Sequence, residues 1–189
     1  MIETENTMEN ELPKRKNLRM QSFDYSTPGA YFITICTYRR KNTLSHIVGA
    51  IHESPVHESP ATELTEYGRI VDRIINSIPE HFNATIDRYV IMPNHIHLIV
   101  IINDGEEMRA IRESPLRGRS VISRMIGYIK MNASKEIHNR FDCLNVWQRG
   151  FHDHIIRNRL DYERISKYIH ENPMRWQYDC FYSEEQAVL

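Results

Sequence analysis

Apolar residues change period several times along this chain, and each change marks an element. Residues 1–20 are acidic, then basic, with no apolar period, and read as a flexible N-terminal arm. Pro28-Gly29 is a turn signal, and the β-branched and aromatic run Ala30 to Tyr38 behind it predicts a first strand. Between Ser45 and Thr62 nothing apolar recurs. Instead His52-Glu53-Ser54-Pro55 and His57-Glu58-Ser59-Pro60 repeat, with Arg112-Glu113-Ser114-Pro115 as a distant echo. Proline closes each unit, so these stretches predict loop insertions. Leu64, Tyr67, Ile70, Val71, Ile74, Ile75 and Ile78 fall three and four apart, which predicts a helix over Glu63 to His81.

Ile86 to Met92 then predicts a second strand, and Pro93-Asn94 interrupts it. A tight turn there makes His95 to Ile102 a third strand, antiparallel to the second. Asn103-Asp104-Gly105 ends it, a basic loop follows, and Ser120 to Ile137 returns to a helical period through Val121, Met125, Ile126, Tyr128, Ile129 and Ala133. Ser120 is a natural N-cap. Phe151 to Ile156 predicts a fourth strand. A last helix runs from Leu160 to about Glu171, stopped by Asn172-Pro173, because the residue before proline disfavours αR. The order βαββαβ is that of an α+β, ferredoxin-like antiparallel sheet with helices on one face, here with a C-terminal helix added. The predicted division is an arm at 1–20, one domain at 21–178 and a tail at 179–189.

Length and composition narrow the class without naming a chemistry. With 189 residues, 41% hydrophobic and 26% charged, the chain can bury a core and is not wholesale disordered. The net charge of −1 hides a division, since the acidic head dilutes basic clusters such as Lys14-Arg15-Lys16, Arg39-Arg40-Lys41 and the 109–124 region. Cys36, Cys143 and Cys180 are widely spaced, odd in number and form no CxxC pair, which fits a reducing, cytoplasmic setting. No run approaches about 18 apolar residues, so a membrane span is not expected.

The candidate chemistry lies in the third strand. His95 and His97 are one residue apart, so they share one face at about 6–7 Å along the chain while Ile96, Leu98 and Val100 take the other. The apolar side is then expected to pack on helices and the imidazoles to look outward. Two neutral ring nitrogens on one face suit Mn, Zn or Mg-type phosphoryl chemistry. The last helix offers further groups in Tyr162, Tyr168, His170, Glu171 and Asn172. Of these, Tyr168 and Asn172 are four apart and share a helix face. His152-Asp153-His154 is a second His-x-His, and Tyr128 a second helical tyrosine. Tyr128 keeps register with Met125 and Ile129 and reads as packing.

Three ordered motifs carry a resemblance. Met92-Pro93-Asn94-His95-Ile96-His97, then Trp147-Gln148-Arg149-Gly150-Phe151-His152-Asp153-His154-Ile155-Ile156-Arg157-Asn158, then Tyr168-Ile169-His170-Glu171-Asn172-Pro173 resemble the REP-associated tyrosine transposases of the single-tyrosine HUH class. The resemblance runs from about Phe23 to Trp176. It implies that His95 and His97 hold a divalent ion, Mg or Mn, that Asn172 completes the metal site, and that Tyr168 on the C-terminal helix is the nucleophile. It further implies metal-dependent cleavage and rejoining of single-stranded DNA through a 5′-phosphotyrosine, at hairpins of repeated extragenic DNA. His154 aligns with the second motif and His152 does not. The proton acceptor for the phenol stays open among solvent, His170 and Glu171.

DNA contacts are expected from Lys14 and Arg15 on the arm and from Arg117, Arg119, Arg124 and Lys130 on a loop-to-helix series. Partners are therefore single-stranded or hairpin DNA, with the protein acting as monomer or homodimer. The alternative is a non-catalytic single-strand-binding module of the same fold, for which metal and His95 would be irrelevant.

Overall fold

The computed structural model describes residues 27–49, 61–104, 120–143 and 145–182. The arm at 1–20, both His-Glu-Ser-Pro units and the Arg112 echo lie outside the described residues. The elements are β1 (Gly29–Cys36), β2 (Ser45–Val48), β3 (Ala61–Leu64), α1 (Glu66–Asn76), α2 (Ile78–His81), β4 (Ala84–Ile91), β5 (His95–Ile102), α3 (Val121–Arg140), β6 (His152–Ile156) and α4 (Arg159–Glu171). Short 3₁₀ turns follow β1 at Tyr38–Arg40 and α4 at Pro173–Tyr178.

The main sheet has the order β4-β5-β1-β6, with every neighbouring pair antiparallel. Leaving aside the small β2-β3 hairpin, this is the ferredoxin-like arrangement expected from the βαββαβ order. The hairpin corrects one expectation, that Ser45 to Thr62 is all loop. Ser45 to Val48 pairs with Leu64 to Ala61, and the sequence is too short and too mixed at each end to have signalled a strand.

The first helix is also shorter and broken. Thr65 caps it, its hydroxyl accepting from Gly68 N, and Ser77 separates α1 from α2. Pro79, in the first turn of α2, has no N–H to continue the α1 ladder, which places the joint there. Beyond α4, Asn172 is αR (φ −57°, ψ −43°) despite the proline after it, and the chain runs on into the 3₁₀ turn instead of stopping. The expectation of a clean stop rested on a preference of the residue before proline, and tertiary packing overrides it here.

The two faces of the sheet are covered differently. Ile96, Leu98 and Val100 enter a core with Ile33, Ile35, Ile70, Ile74, Met125, Ile126 and Ile129, beneath the packed pair α1 and α3. On the other face Ile99 meets Ile165 and Ile169 of α4, with Phe32 and Tyr162 at the edges. A latch fastens α4 to the edge strand, the Tyr162 hydroxyl donating to Asp87 Oδ2 at 2.6 Å beside the bulge between Ile86 and Arg88. Arg39 and Arg40 sit in the left-handed region at φ 53° and 55°. A residue with a Cβ loses about 1–2 kcal/mol in that conformation. Among the described residues, no helix is long and apolar enough to cross a membrane.

Candidate metal and tyrosine centre

His95 and His97 open β5, and pairing with β1 sets His97 opposite Thr34 and His95 opposite Cys36. The imidazoles do not look outward as expected. They are 0% and 1% exposed, because α4 and the segment after it close over that face. Phe181 lies 4.7 Å from the His95 ring centroid, Trp176 6.0 Å, and Tyr168 5.2 Å from His97, with Phe32 at 5.1 Å on the sheet side. The two imidazole centroids are 4.4 Å apart.

Hydrogen bonds orient both rings. Asn94 Nδ2 donates to Arg40 O (3.2 Å) and Phe181 O (2.8 Å), which turns Asn94 Oδ1 toward His95 Nδ1 at 2.9 Å. An amide oxygen only accepts, so His95 carries its proton on Nδ1 and leaves the Nε2 lone pair bare. That atom is buried without a partner among the described residues. Thr34 Oγ1 meets His97 Nδ1 at 2.9 Å, and His97 Nε2 comes within 3.3 Å of the Tyr168 hydroxyl. Burial keeps both rings neutral. It pushes His95 down to about 3, aided by the Arg40 charge, and His97 well below its ordinary value, aided by His95.

Tyr168 and Asn172 lie on one side of α4, as the four-residue spacing requires. Their meeting point is a group that sequence reasoning missed. Asp179 Oδ2 accepts from the Tyr168 hydroxyl at 3.2 Å and from Asn172 Nδ2 at 3.1 Å, while Asp179 Oδ1 accepts from Phe181 N at 2.7 Å. Asp179 belongs to no local motif and falls where the tail was expected to begin. The 3₁₀ continuation past Asn172 folds it back. Burial raises the Tyr168 phenol well above its ordinary value, and the Asp179 charge adds to the effect.

A divalent cation fits this donor set. Ligand atoms of His95, His97 and Asp179 lie within 4.8 Å of one another, and Asn172 Oδ1, like His95 Nε2, is a buried atom without a hydrogen-bond partner among the described residues. Neutral nitrogens combined with carboxylate and amide oxygens suit Mn, Zn or Mg.

The structure keeps several other candidates away from this centre. Tyr162 is committed to Asp87, Glu171 pairs with Arg175 (3.1 Å) and Lys167 (3.6 Å), and His170 is exposed. His152 is exposed, and His154 sits on the edge strand opposite Phe32, its Nε2 2.8 Å from Asp161 Oδ2. Tyr128 packs against His81 and Phe82, with its hydroxyl 3.3 Å from Ser77 Oγ. Among the basic residues, Arg124 is exposed on α3, whereas Lys130 turns its ammonium onto the carbonyls of Gln148 (2.8 Å) and Gly150. Burial lowers Lys130 to about 8. Lys14, Arg15, Arg117 and Arg119 lie outside the described residues.

No family model matches the chain. A Haemophilus influenzae protein named only as uncharacterized is 30% identical over 178 residues, covering 89% of this chain and 93% of that protein. A putative REP-associated tyrosine transposase of the same organism is 22% identical over 185 residues, 88% of this chain and 87% of its own length. The REP-associated tyrosine transposase of Escherichia coli is 26% identical over 90 residues, 48% of this chain and 44% of that one. A solved REP-associated tyrosine transposase bound to a REP hairpin shares the fold, with TM-score 0.52 and 22% identity over 78% of this chain and 68% of that chain. The relatives that carry a name, and the neighbour that shares the fold, support a chain of the REP-associated tyrosine transposase type. The motifs that carried the resemblance occupy β5, the β6 strand with its approach, and α4, the last of which lies directly over the first.

Proposed function

We propose that this protein is a DNA-processing enzyme of the transposase type: a metal-dependent endonuclease that cleaves and rejoins single-stranded DNA through a 5′-phosphotyrosine. Tyr168 is the nucleophile, and His95, His97 and Asn172 are metal ligands, with Asp179 beside them. The observation that carries this reading is the Tyr168 hydroxyl lying within 3.3 Å of His97 Nε2 and donating to Asp179 Oδ2 at 3.2 Å. A tyrosine with only a packing role has no need of two such partners. The named transposases among its relatives support the reaction class, and the hairpin bound by its structural neighbour supports DNA as the partner.

The chain's own groups divide the work. Tyr168 Oη attacks a backbone phosphorus, one P–O bond forms as the bond to the 3′ oxygen breaks, and that oxygen leaves and takes a proton from solvent to become a free hydroxyl. The phosphodiester energy is kept in the tyrosyl ester, so rejoining by a 3′-hydroxyl needs no nucleotide cofactor. Asp179 Oδ2 already holds the phenolic hydrogen and is the acceptor placed to receive it, in preference to His170 and Glu171, which face elsewhere. Asn94 and Thr34 fix the imidazoles, so the ligand nitrogens are preset before any ion binds. A bound Mg or Mn would polarise the scissile phosphate and neutralise charge developing on it.

The test incubates protein with Mn or Mg and single-stranded hairpin DNA, followed by denaturing electrophoresis. A covalent adduct is expected from the natural chain and not from Tyr168→Phe, and an adduct in that variant removes Tyr168 from the role. The rival reading as a non-catalytic binding module predicts no adduct and binding unchanged in His95→Ala.

A further inference from the structure

We propose that the turn Tyr38–Arg40 is a phosphate-binding subsite for a single DNA strand entering the centre, with Arg39 as its leading cation and Arg40 beside it. The inference rests on reading the centre as DNA-processing, and it concerns residues outside the three motifs.

The first observation is conformational. Arg39 and Arg40 are consecutive residues in the left-handed region, where glycine or asparagine is the unstrained choice. Strain of this kind persists where surrounding structure enforces it, and here the enforcement is visible. Thr37 Oγ1 donates to Lys41 O (2.8 Å) and Asn94 O (3.0 Å), Arg40 N and Lys41 N close back on Thr37 and Tyr38, and Asn94 Nδ2 holds Arg40 O. The same Asn94 side chain orients His95. One buried amide therefore sets the turn at a fixed place relative to the metal ligands.

The second observation is charge. Both side chains are exposed, and among the described residues neither guanidinium is paired with a carboxylate. Each lies against an aromatic ring instead, Arg39 Cζ 5.3 Å from the Tyr38 centroid and Arg40 Cζ 4.9 Å from Phe181. Arg40 Nη1 also donates to Cys180 O at 3.1 Å. Phe181 in turn stacks on His95, so Arg40 stands one ring away from a metal ligand. A guanidinium laid on a ring keeps its edge N–H groups free for an anion, and its fork matches two phosphate oxygens. The ligand class is the phosphodiester backbone, because the turn offers cations and no fixed edge for reading a base.

The experiment measures binding of a fluorescein-labelled oligothymidine strand by anisotropy across a sodium chloride series, for the full natural chain, Arg39→Gly and Arg39→Lys. Arg39 is chosen because Arg40 also holds Cys180. The glycine variant is expected to bind several-fold more weakly at low salt. Its slope of log affinity against log salt should be shallower by about 0.7, the share of one neutralised phosphate on a single strand. Its melting temperature is expected not to fall, since glycine suits φ 53°. Arg39→Lys should restore the salt slope. Unchanged affinity and slope in Arg39→Gly overturn the subsite, as does failure of the natural chain to bind the strand. Weaker binding with a lowered melting temperature also overturns it, by assigning Arg39 to holding the turn. The adduct assay above is independent: a natural chain that binds the strand yet forms no adduct loses the cleavage reading and keeps the subsite.

Discussion

Strand β5 is buried on both faces, and the two burials are of different kinds. Ile96, Leu98 and Val100 disappear into an apolar core under two long amphipathic helices. His95 and His97, one position out of phase, disappear under Tyr168, Trp176 and Phe181 from the C-terminal segment. Apolar burial is non-directional and stabilises in proportion to area. Polar burial demands partners, and on the second face nearly every donor and acceptor has one. The exceptions among the described residues there are His95 Nε2 and Asn172 Oδ1. These two bare atoms are the ones the proposed metal site would use. One face therefore holds the fold, and the other carries the groups on which the proposed chemistry rests.

That division can be broken by substitution. The largest expected effect is on Tyr168, where Phe removes the hydroxyl alone. Adduct on a denaturing gel should drop to background while the urea midpoint stays near that of the natural chain, because the ring still packs on Phe32 and His97. Leu98→Ala should do the opposite. It empties a fully buried site, so urea unfolding should show a loss of about 2–5 kcal/mol with adduct still formed under folding conditions. A Leu98 variant that kept full stability would mean the helical face is not the one that holds the fold.

Asn94→Ala sharpens the comparison from the polar side. It frees His95 to adopt the wrong tautomer, and Mn affinity by titration calorimetry should weaken by about 10–100-fold. Retained affinity would show that the imidazole is oriented by the ring stack alone.

The smallest effect expected is in pH. His95 is held near 3 in the folded chain against 6.5 when free, so between those values the unfolded chain binds more protons. The stability that the neutral ring contributes is complete above about 6.5 and is lost as pH falls toward 3, with His97 acting in the same direction. Melting temperature should therefore fall more steeply below pH 6.5 in the natural chain than in His95→Gln. Equal slopes would remove the buried rings from the acid response.

Much of the fold was legible because period and punctuation agreed. The third strand begins at His95 and ends at Ile102 as its alternation and the Pro93-Asn94 turn require, and Ser120 caps α3 by accepting from Ser123 N. The β2-β3 hairpin was not legible, since four-residue strands carry no measurable period. The joint at Ser77 is the effect of Pro79 on a continuous apolar stripe. At the candidate site, spacing made legible that His95 and His97 share a strand face and Tyr168 and Asn172 a helix face, while the roles proposed for them came from the resemblance. Lys130 illustrates the limit for basic residues: a helix position says where a lysine starts, and only the neighbouring loop decides that its amine ends on Gln148 and Gly150.

The sequence by itself determined which residues share a face, because the periods of strand and helix are properties of the backbone. It thereby assigned His95 with His97 to one face and Tyr168 with Asn172 to another. Only the tertiary structure decided that these two faces meet, that the imidazoles are buried rather than solvated, and that Asp179 joins them. Those outcomes depend on residues far apart in the chain coming together, as His95 and Asp179 do across 84 positions. No local preference encodes such a distance. It follows from how α4 and the 3₁₀ turn behind it close on the sheet.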